Sequence, residues 1–126
     1  MIENFVSEKE EKALAKLLRD GYTWKRYRCR EMLQFGRIID YPGQKVTLEV
    51  QSVPDLLRAI QRKVEKLTGE SYDQLTCNHY RPGDSITYHV DDPVVFGRTI
   101  VSLSLLSDSF IYFRIRDSLF CLPDIE

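Results

Sequence analysis

From Gln74 onward the chain changes rhythm, and the change restricts what it can fold into. Helical spacing gives way to short β-like runs at 74–80, 86–90, 99–105 and 110–115, with Pro82-Gly83-Asp84 forming a turn after the first. The second half is therefore expected to be a series of strands. A fold class follows only when this half is set against the first.

The first half is led by a helix signal. Ser7 followed by Glu10 is a capping-box pattern, Ala13, Leu14, Leu17 and Leu18 recur at helical spacing, and Gly21 closes the segment. Residues 24–30 read as a strand with Arg26, Arg28 and Arg30 on one face, since side chains alternate along a strand. Two short β-like stretches, 32–35 and 37–41, precede a turn at Pro42-Gly43, and 45–50 alternates again. Ser52, Pro54 and Asp55 then open a second helix. Its stripe is Leu56, Leu57, Ile60, Val64 and Leu67, and Gly69 ends it. Two helices ahead of a run of strands predict an α+β fold, with the strands in a sandwich or roll and both helices packed outside. The length of 126 residues predicts a single domain spanning 1–126.

Composition narrows the function classes. A net charge of −1 gives the whole molecule no electrostatic pull on nucleic acid or membranes, so any basic surface has to be local. Cys29, Cys77 and Cys121 are far apart and show no zinc-ligand spacing, which predicts reduced thiols. No apolar run approaches the roughly 18 residues of a membrane span. The N-terminus has no basic n-region, and a cytoplasmic or nuclear protein is expected.

His89-Val90-Asp91 carries the clearest chemistry. Two apart on a strand, His89 and Asp91 project to one side together with Thr87, while Ile86, Tyr88 and Val90 turn toward an apolar layer. An imidazole beside a carboxylate suits Fe(II), Mn(II) or a similar ion, although two ligands alone bind weakly. Taken in isolation, the tripeptide is better read as a surface ion pair beside a turn, because His-x-Asp is common by chance. On the preceding strand Asn78 and Tyr80 share one face and His79 takes the other, as a surface or packing residue. Arg26, Arg28 and Arg30, with Lys25, Trp24 and Tyr27, combine cations and rings as nucleic-acid grooves do. A solvated strand face balanced by Glu31 is the plainer alternative.

The order Asn78-His79-Tyr80-Arg81-Pro82-Gly83, His89-Val90-Asp91, Val101-Ser102-Leu103-Ser104-Leu105 resembles the AlkB family of iron and 2-oxoglutarate-dependent dioxygenases. The likeness is densest over 74–113, with a fainter echo at Phe35-Gly36 and Tyr41. It implies a double-stranded β-helix, or jelly roll, with Fe(II) at its mouth. His89 and Asp91 would be iron ligands, and Asn78 and Tyr80 would hold 2-oxoglutarate. The implied reaction is oxidative demethylation or hydroxylation, with RNA or DNA as partner, or in some members a protein side chain.

The sequence also departs from that pattern. The family has a second iron-binding histidine well downstream of His-x-Asp, and beyond it an arginine that pairs with the cosubstrate carboxylate. The histidines here are His79 and His89, and Arg114 and Arg116 stand too early. Leu106 replaces a frequent glycine, and Cys121 reads as an idle thiol rather than a substitute ligand. Residues 74–126 leave room for about four strands of roughly 5–6 residues against the eight of a full roll. The expectation is a partial roll lacking its C-terminal half. Unpaired edges such as 110–113 would invite a partner chain or self-association. This chain alone is expected to turn over 2-oxoglutarate slowly or not at all. The competing reading is a non-catalytic AlkB-fold module that binds nucleic acid or protein; a third is an unrelated β-roll with a chance His-x-Asp.

Overall fold

The computed structural model describes residues 1–41 and 43–115. Helix α1, Glu8–Gly21, begins at the expected cap: the Ser7 hydroxyl accepts from the Glu10 amide, and the Glu10 carboxylate accepts from the Ser7 amide. At its other end Trp24 Nε1 donates to the Leu18 carbonyl at 3.0 Å, occupying one of the carbonyls a helix terminus leaves open. Helix α2, Asp55–Thr68, starts after Pro54 and ends at Gly69, whose φ of 72° is the left-handed cap a glycine adopts cheaply.

Between and after the helices lie β1 (Lys25–Tyr27), β2 (Arg30–Asp40), β3 (Lys45–Gln51) and β4 (Gln74–His79), in one antiparallel sheet. The long strand β2 is its spine. Glu31 pairs with Arg26 on one edge and His79 on the other, and Gly36 pairs with Gln51 and Gln74. Thus β1 and β3 follow one edge of β2, and β4 follows the opposite edge. The register slips between Arg37 and Ile39, where the Gln34 side chain exchanges two hydrogen bonds with the Ile39 backbone, at 2.8 and 2.9 Å. Such a bulge is repaired locally by a side chain that can both donate and accept.

The two faces of the sheet differ. One packs Leu33 and Phe35 against Leu14 and Leu18 of α1 and Leu57 and Ile60 of α2, with Leu75 and Cys77 at the margin. Phe35 is completely buried, and the Tyr22 ring meets it edge-on at 4.9 Å. The buried Gln61 of α2 is satisfied by Arg58 and by the Tyr72 carbonyl. The other face carries Arg30, Gln34, Gln74, Thr76 and Asn78, tied by side-chain hydrogen bonds.

The α+β class is as expected, and both helices lie on one face of the sheet. Three local expectations are corrected. The strand at 24–30 is a hairpin, because Arg28 and Cys29 form a two-residue turn with Arg28 at φ 51°. The stretches 32–35 and 37–41 fall in one strand that ends at Asp40, with a register shift between Arg37 and Ile39. The expected strands at 86–90, 99–105 and 110–115 do not form. Among the described residues, 84–115 holds the short helix α3 (Pro93–Phe96), capped by the Asp92 carboxylate, and an isolated bridge at Phe113. A two-residue period says which way side chains would point, but a strand also needs a neighbour to bond. Ile86, Tyr88, Val90 and Phe110 are accordingly exposed, and among the described residues no apolar layer covers the first three. The described sheet is not a closed roll. Arg116 and Cys121 lie outside the described residues, as does Pro42 of the expected Pro42-Gly43 turn.

Candidate functional site

The segment that follows β4 is fastened to the β1–β2 hairpin before it reaches His89. Arg26 makes a two-pronged pair with Asp84, at 2.7 and 2.6 Å, and the Ser85 amide donates to the Cys29 carbonyl at 3.1 Å. The Arg26 guanidinium, with help from the Arg81 amide, holds the Asp84 carboxyl well below the usual carboxylate range. Glu31 accepts from Arg81 at 2.6 Å and binds His79 Nδ1 at 2.7 Å, and the His79 contact lowers its pKa. The His79 ring also stands 6.0 Å from Trp24 in an edge-on arrangement. Further along, the Asp92 amide donates to the Gln44 side chain at 3.1 Å, which ties the segment to the β2–β3 turn.

Held at both ends, the segment presents His89 and Asp91 side by side. The Nδ1 of His89 lies 2.8 Å from the Thr87 carbonyl oxygen. A carbonyl can only accept, so Nδ1 is the donor in this contact, and Nε2 is the nitrogen left to offer a lone pair to a metal. That nitrogen is 3.5 Å from Asp91 Oδ1. With metal–ligand distances of about 2.1 Å, one divalent ion can touch both atoms. A backbone carbonyl fixing the far side of the ring is the usual support of a metal-binding histidine. The donor set therefore fits two positions of a divalent-metal site. Among the described residues no cluster of three His, Cys, Asp or Glu side chains forms.

Asn78 and Tyr80 were expected to share a face opposite His79. Asn78 does lie across from His79, since its Oδ1 accepts from Arg30 Nε at 3.0 Å on the polar face of the sheet. Tyr80 stands just past β4; burial raises its hydroxyl pKa, opposed by the nearby Arg30 charge. Tyr41 feels charges from both this face and the His89 segment. Burial raises its pKa first and the Asp91 carboxylate adds to the rise, while a hydrogen bond to Thr76 and the Arg30 charge oppose it. Asp91, Arg30 and Thr76 are thus all within electrostatic or bonding reach of one phenol.

The three arginines expected on one basic face have separate surroundings. Arg26 is engaged by Asp84. Arg28, at the hairpin tip, is exposed and lies 5.4 Å from the Tyr27 ring centroid. Arg30 is only 8% exposed and belongs to the polar face. Sequence reasoning missed the Arg30–Asn78 bond and gave Tyr41 no place at the site; nothing local signals a contact between residues 48 apart.

No family model matches the chain. It is similar to tRNA (carboxymethyluridine(34)-5-O)-methyltransferase ALKBH8 of Mus musculus, 30% identical over 90% of this chain and 19% of the relative. The corresponding Macaca fascicularis protein is 29% identical over 93% of this chain and 19% of its own length. Alpha-ketoglutarate-dependent dioxygenase alkB homolog 4 of Homo sapiens is 31% identical over 88% of this chain and 39% of that protein. The similarity is to AlkB-like proteins. These likenesses support an AlkB-like relationship for a chain that spans a minor part of each relative. Among the described residues, no helix is long and apolar enough to cross a membrane.

Proposed function

We propose that this chain carries the iron- and 2-oxoglutarate-binding face of an AlkB-type dioxygenase, with RNA or DNA as substrate. The observation that carries the reading is the His89 ring, pinned by the Thr87 carbonyl with its free nitrogen facing Asp91. In this reading His89 and Asp91 hold Fe(II), and Asn78 and Tyr80 hold 2-oxoglutarate. When bound, the iron would supply hydroxylation of a substrate carbon, coupled to conversion of 2-oxoglutarate and O2 into succinate and carbon dioxide. The name of the human relative, an alpha-ketoglutarate-dependent dioxygenase, supports this choice of cosubstrate. The sheet would form one side of a jelly roll, completed by further strands.

The residues divide the work. Asp91 supplies negative charge to offset the cation, and His89 supplies a neutral donor whose ring cannot turn without losing its bond to Thr87. The Arg26–Asp84 pair and the Gln44–Asp92 bond set where the segment lies. Of the three arginines, the exposed Arg28 beside Tyr27 is best placed to meet a phosphate, because Arg26 already has a carboxylate and Arg30 is buried.

Succinate release from 2-oxoglutarate tests the reading, with and without an alkylated oligonucleotide. We expect slow release that requires Fe(II) and disappears in Asp91→Ala, because two protein donors hold the ion weakly. Release at the same rate in Asp91→Ala contradicts the assignment.

A further inference from the structure

Helix α1 carries its cations in one row. Lys9, Lys12, Lys16 and Arg19 are all exposed. At 3.6 residues per turn they fall within an arc of roughly 80° and run for about 15 Å along the axis. The acids of the same helix are mostly engaged elsewhere. Glu10 accepts from the Ser7 amide, Glu11 from the Leu106 amide, and Asp20 from Arg19. Among the described residues no carboxylate oxygen comes within 4.0 Å of the Lys9, Lys12 or Lys16 ammonium.

Helix stability does not explain the row. Residues three and four apart are neighbours on a helix, so Lys9–Lys12, Lys12–Lys16 and Lys16–Arg19 are like-charge contacts that oppose its formation. Lys9 also stands in the first turn, where the macrodipole disfavours a cation. Glu8, four residues before Lys12, is the acid best placed to relieve the row, and it makes no ion pair within 4.0 Å. The composition of the helix then selects among anionic ligands. A helix that lies on a membrane sets apolar side chains beside its cations, whereas Leu14 and Leu18 are buried in the core and Leu17 is half-buried. Protein interfaces are poor in lysine and centre on aromatic or arginine anchors, and single-strand grooves stack bases on rings; α1 has no aromatic residue. A row of hydrated point charges without rings suits the phosphates of a base-paired strand, whose bases are already stacked.

We propose that the Lys9–Lys12–Lys16 row of α1 is a docking surface for the phosphate backbone of duplex nucleic acid, and that it reads no sequence. The row lies on the helix-covered face of the sheet, across from Arg30 and Asn78. It needs neither metal nor cosubstrate, and so goes beyond the functional reading above.

The test is fluorescence anisotropy of a labelled DNA duplex and a labelled RNA duplex, each two helical turns long, titrated with the full chain over a range of salt. One variant combines Lys9→Gln, Lys12→Gln and Lys16→Gln. Glutamine matches lysine in helix propensity, so α1 should persist, which circular dichroism checks. Removing three phosphate contacts should weaken low-salt binding at least about tenfold and flatten the log–log salt slope by about 2–3. Asp91→Ala should bind both duplexes like wild type. That loss for either duplex supports the proposal. A triple variant with wild-type affinity and slope overturns it, as does a wild-type chain that binds neither duplex at low salt. Polyglutamate or phosphatidylserine vesicles bound in place of both duplexes also overturn it, by assigning the row to an acidic protein or a membrane. Equal loss in Asp91→Ala would move the contact to the His89 segment and overturn it as well. Succinate release reports on the functional reading separately.

Discussion

Replacing Gly36 by alanine should loosen the sheet at the point where the core face and the polar face share a strand. Gly36 has φ 71°, and a Cβ built on it would overlap the carbonyl oxygen of Asp73. An L-residue in this left-handed region costs roughly 1–2 kcal/mol. The Asp73 carbonyl, which accepts from the Arg37 amide at 3.1 Å, must also move away, and a hydrogen bond lost there adds roughly 1 kcal/mol. The sum is about 2–3 kcal/mol before any repacking of the nearby core. Gly69→Ala is the internal control. Its φ is 72°, but nothing lies within 4 Å of the added Cβ, so it reports the backbone term alone. Urea titrations of both variants measure the difference, with unchanged slopes if the transition stays two-state. The displacement enters β4 at Gln74, the partner of Gly36, so the Arg30–Asn78 bond further along β4 should slacken only in Gly36→Ala. A Gly36→Ala variant no less stable than Gly69→Ala would refute the close-approach argument.

Three further outcomes follow from the same contacts. Arg26→Gln removes the partner that lowers the Asp84 pKa; a lowered carboxylate pKa stabilises above its unfolded value and loses that contribution as pH falls through the folded one. The variant should therefore be less stable than wild type at neutral pH, with the gap closing in strong acid, and a gap constant from neutral pH to strong acid contradicts the pairing. Burial pushes the Cys77 thiol up to about 11, so at pH 8 iodoacetamide should label the exposed Cys29 well before Cys77, as peptide mass spectrometry reads directly. Arg28→Ala should weaken single-stranded nucleic-acid binding and reduce its log–log salt slope by about 1, whereas an unchanged slope assigns Arg28 to solvent.

The helices were legible because their signals are local. The Ser7–Glu10 cap and the Gly69 stop lie within a few residues of what they control. The hairpin at 28–29 was not legible, since Arg28 takes a positive φ without the Gly or Asn that usually announces one. β2 read as two strands because Gly36 looks like a break, whereas its conformation lets Asp73 approach a continuous strand. The runs at 86–90, 99–105 and 110–115 have the composition of strands, but the ladder that defines a strand belongs to its neighbour as much as to itself. At the site, strand alternation was the reason for expecting His89 and Asp91 side by side; they do lie 3.5 Å apart, but on a segment that is not a strand. The fate of Arg30 was not legible, because alternation presented it as one of three similar exposed cations. Its burial depends on Tyr27 and Asn78, which only the folded sheet brings together.

Mn(II) calorimetry on the full chain asks whether His89 and Asp91 hold a divalent ion. Mn(II) stands in for Fe(II) without the complication of oxidation. Weak binding is expected, which His89→Ala and Asp91→Ala each abolish while the protein stays folded. His89→Gln removes the imidazole donor and should also fail to bind. Sub-micromolar affinity unaffected by His89→Ala would rule out this pair as the metal site, as would the absence of any heat from wild type at millimolar Mn(II).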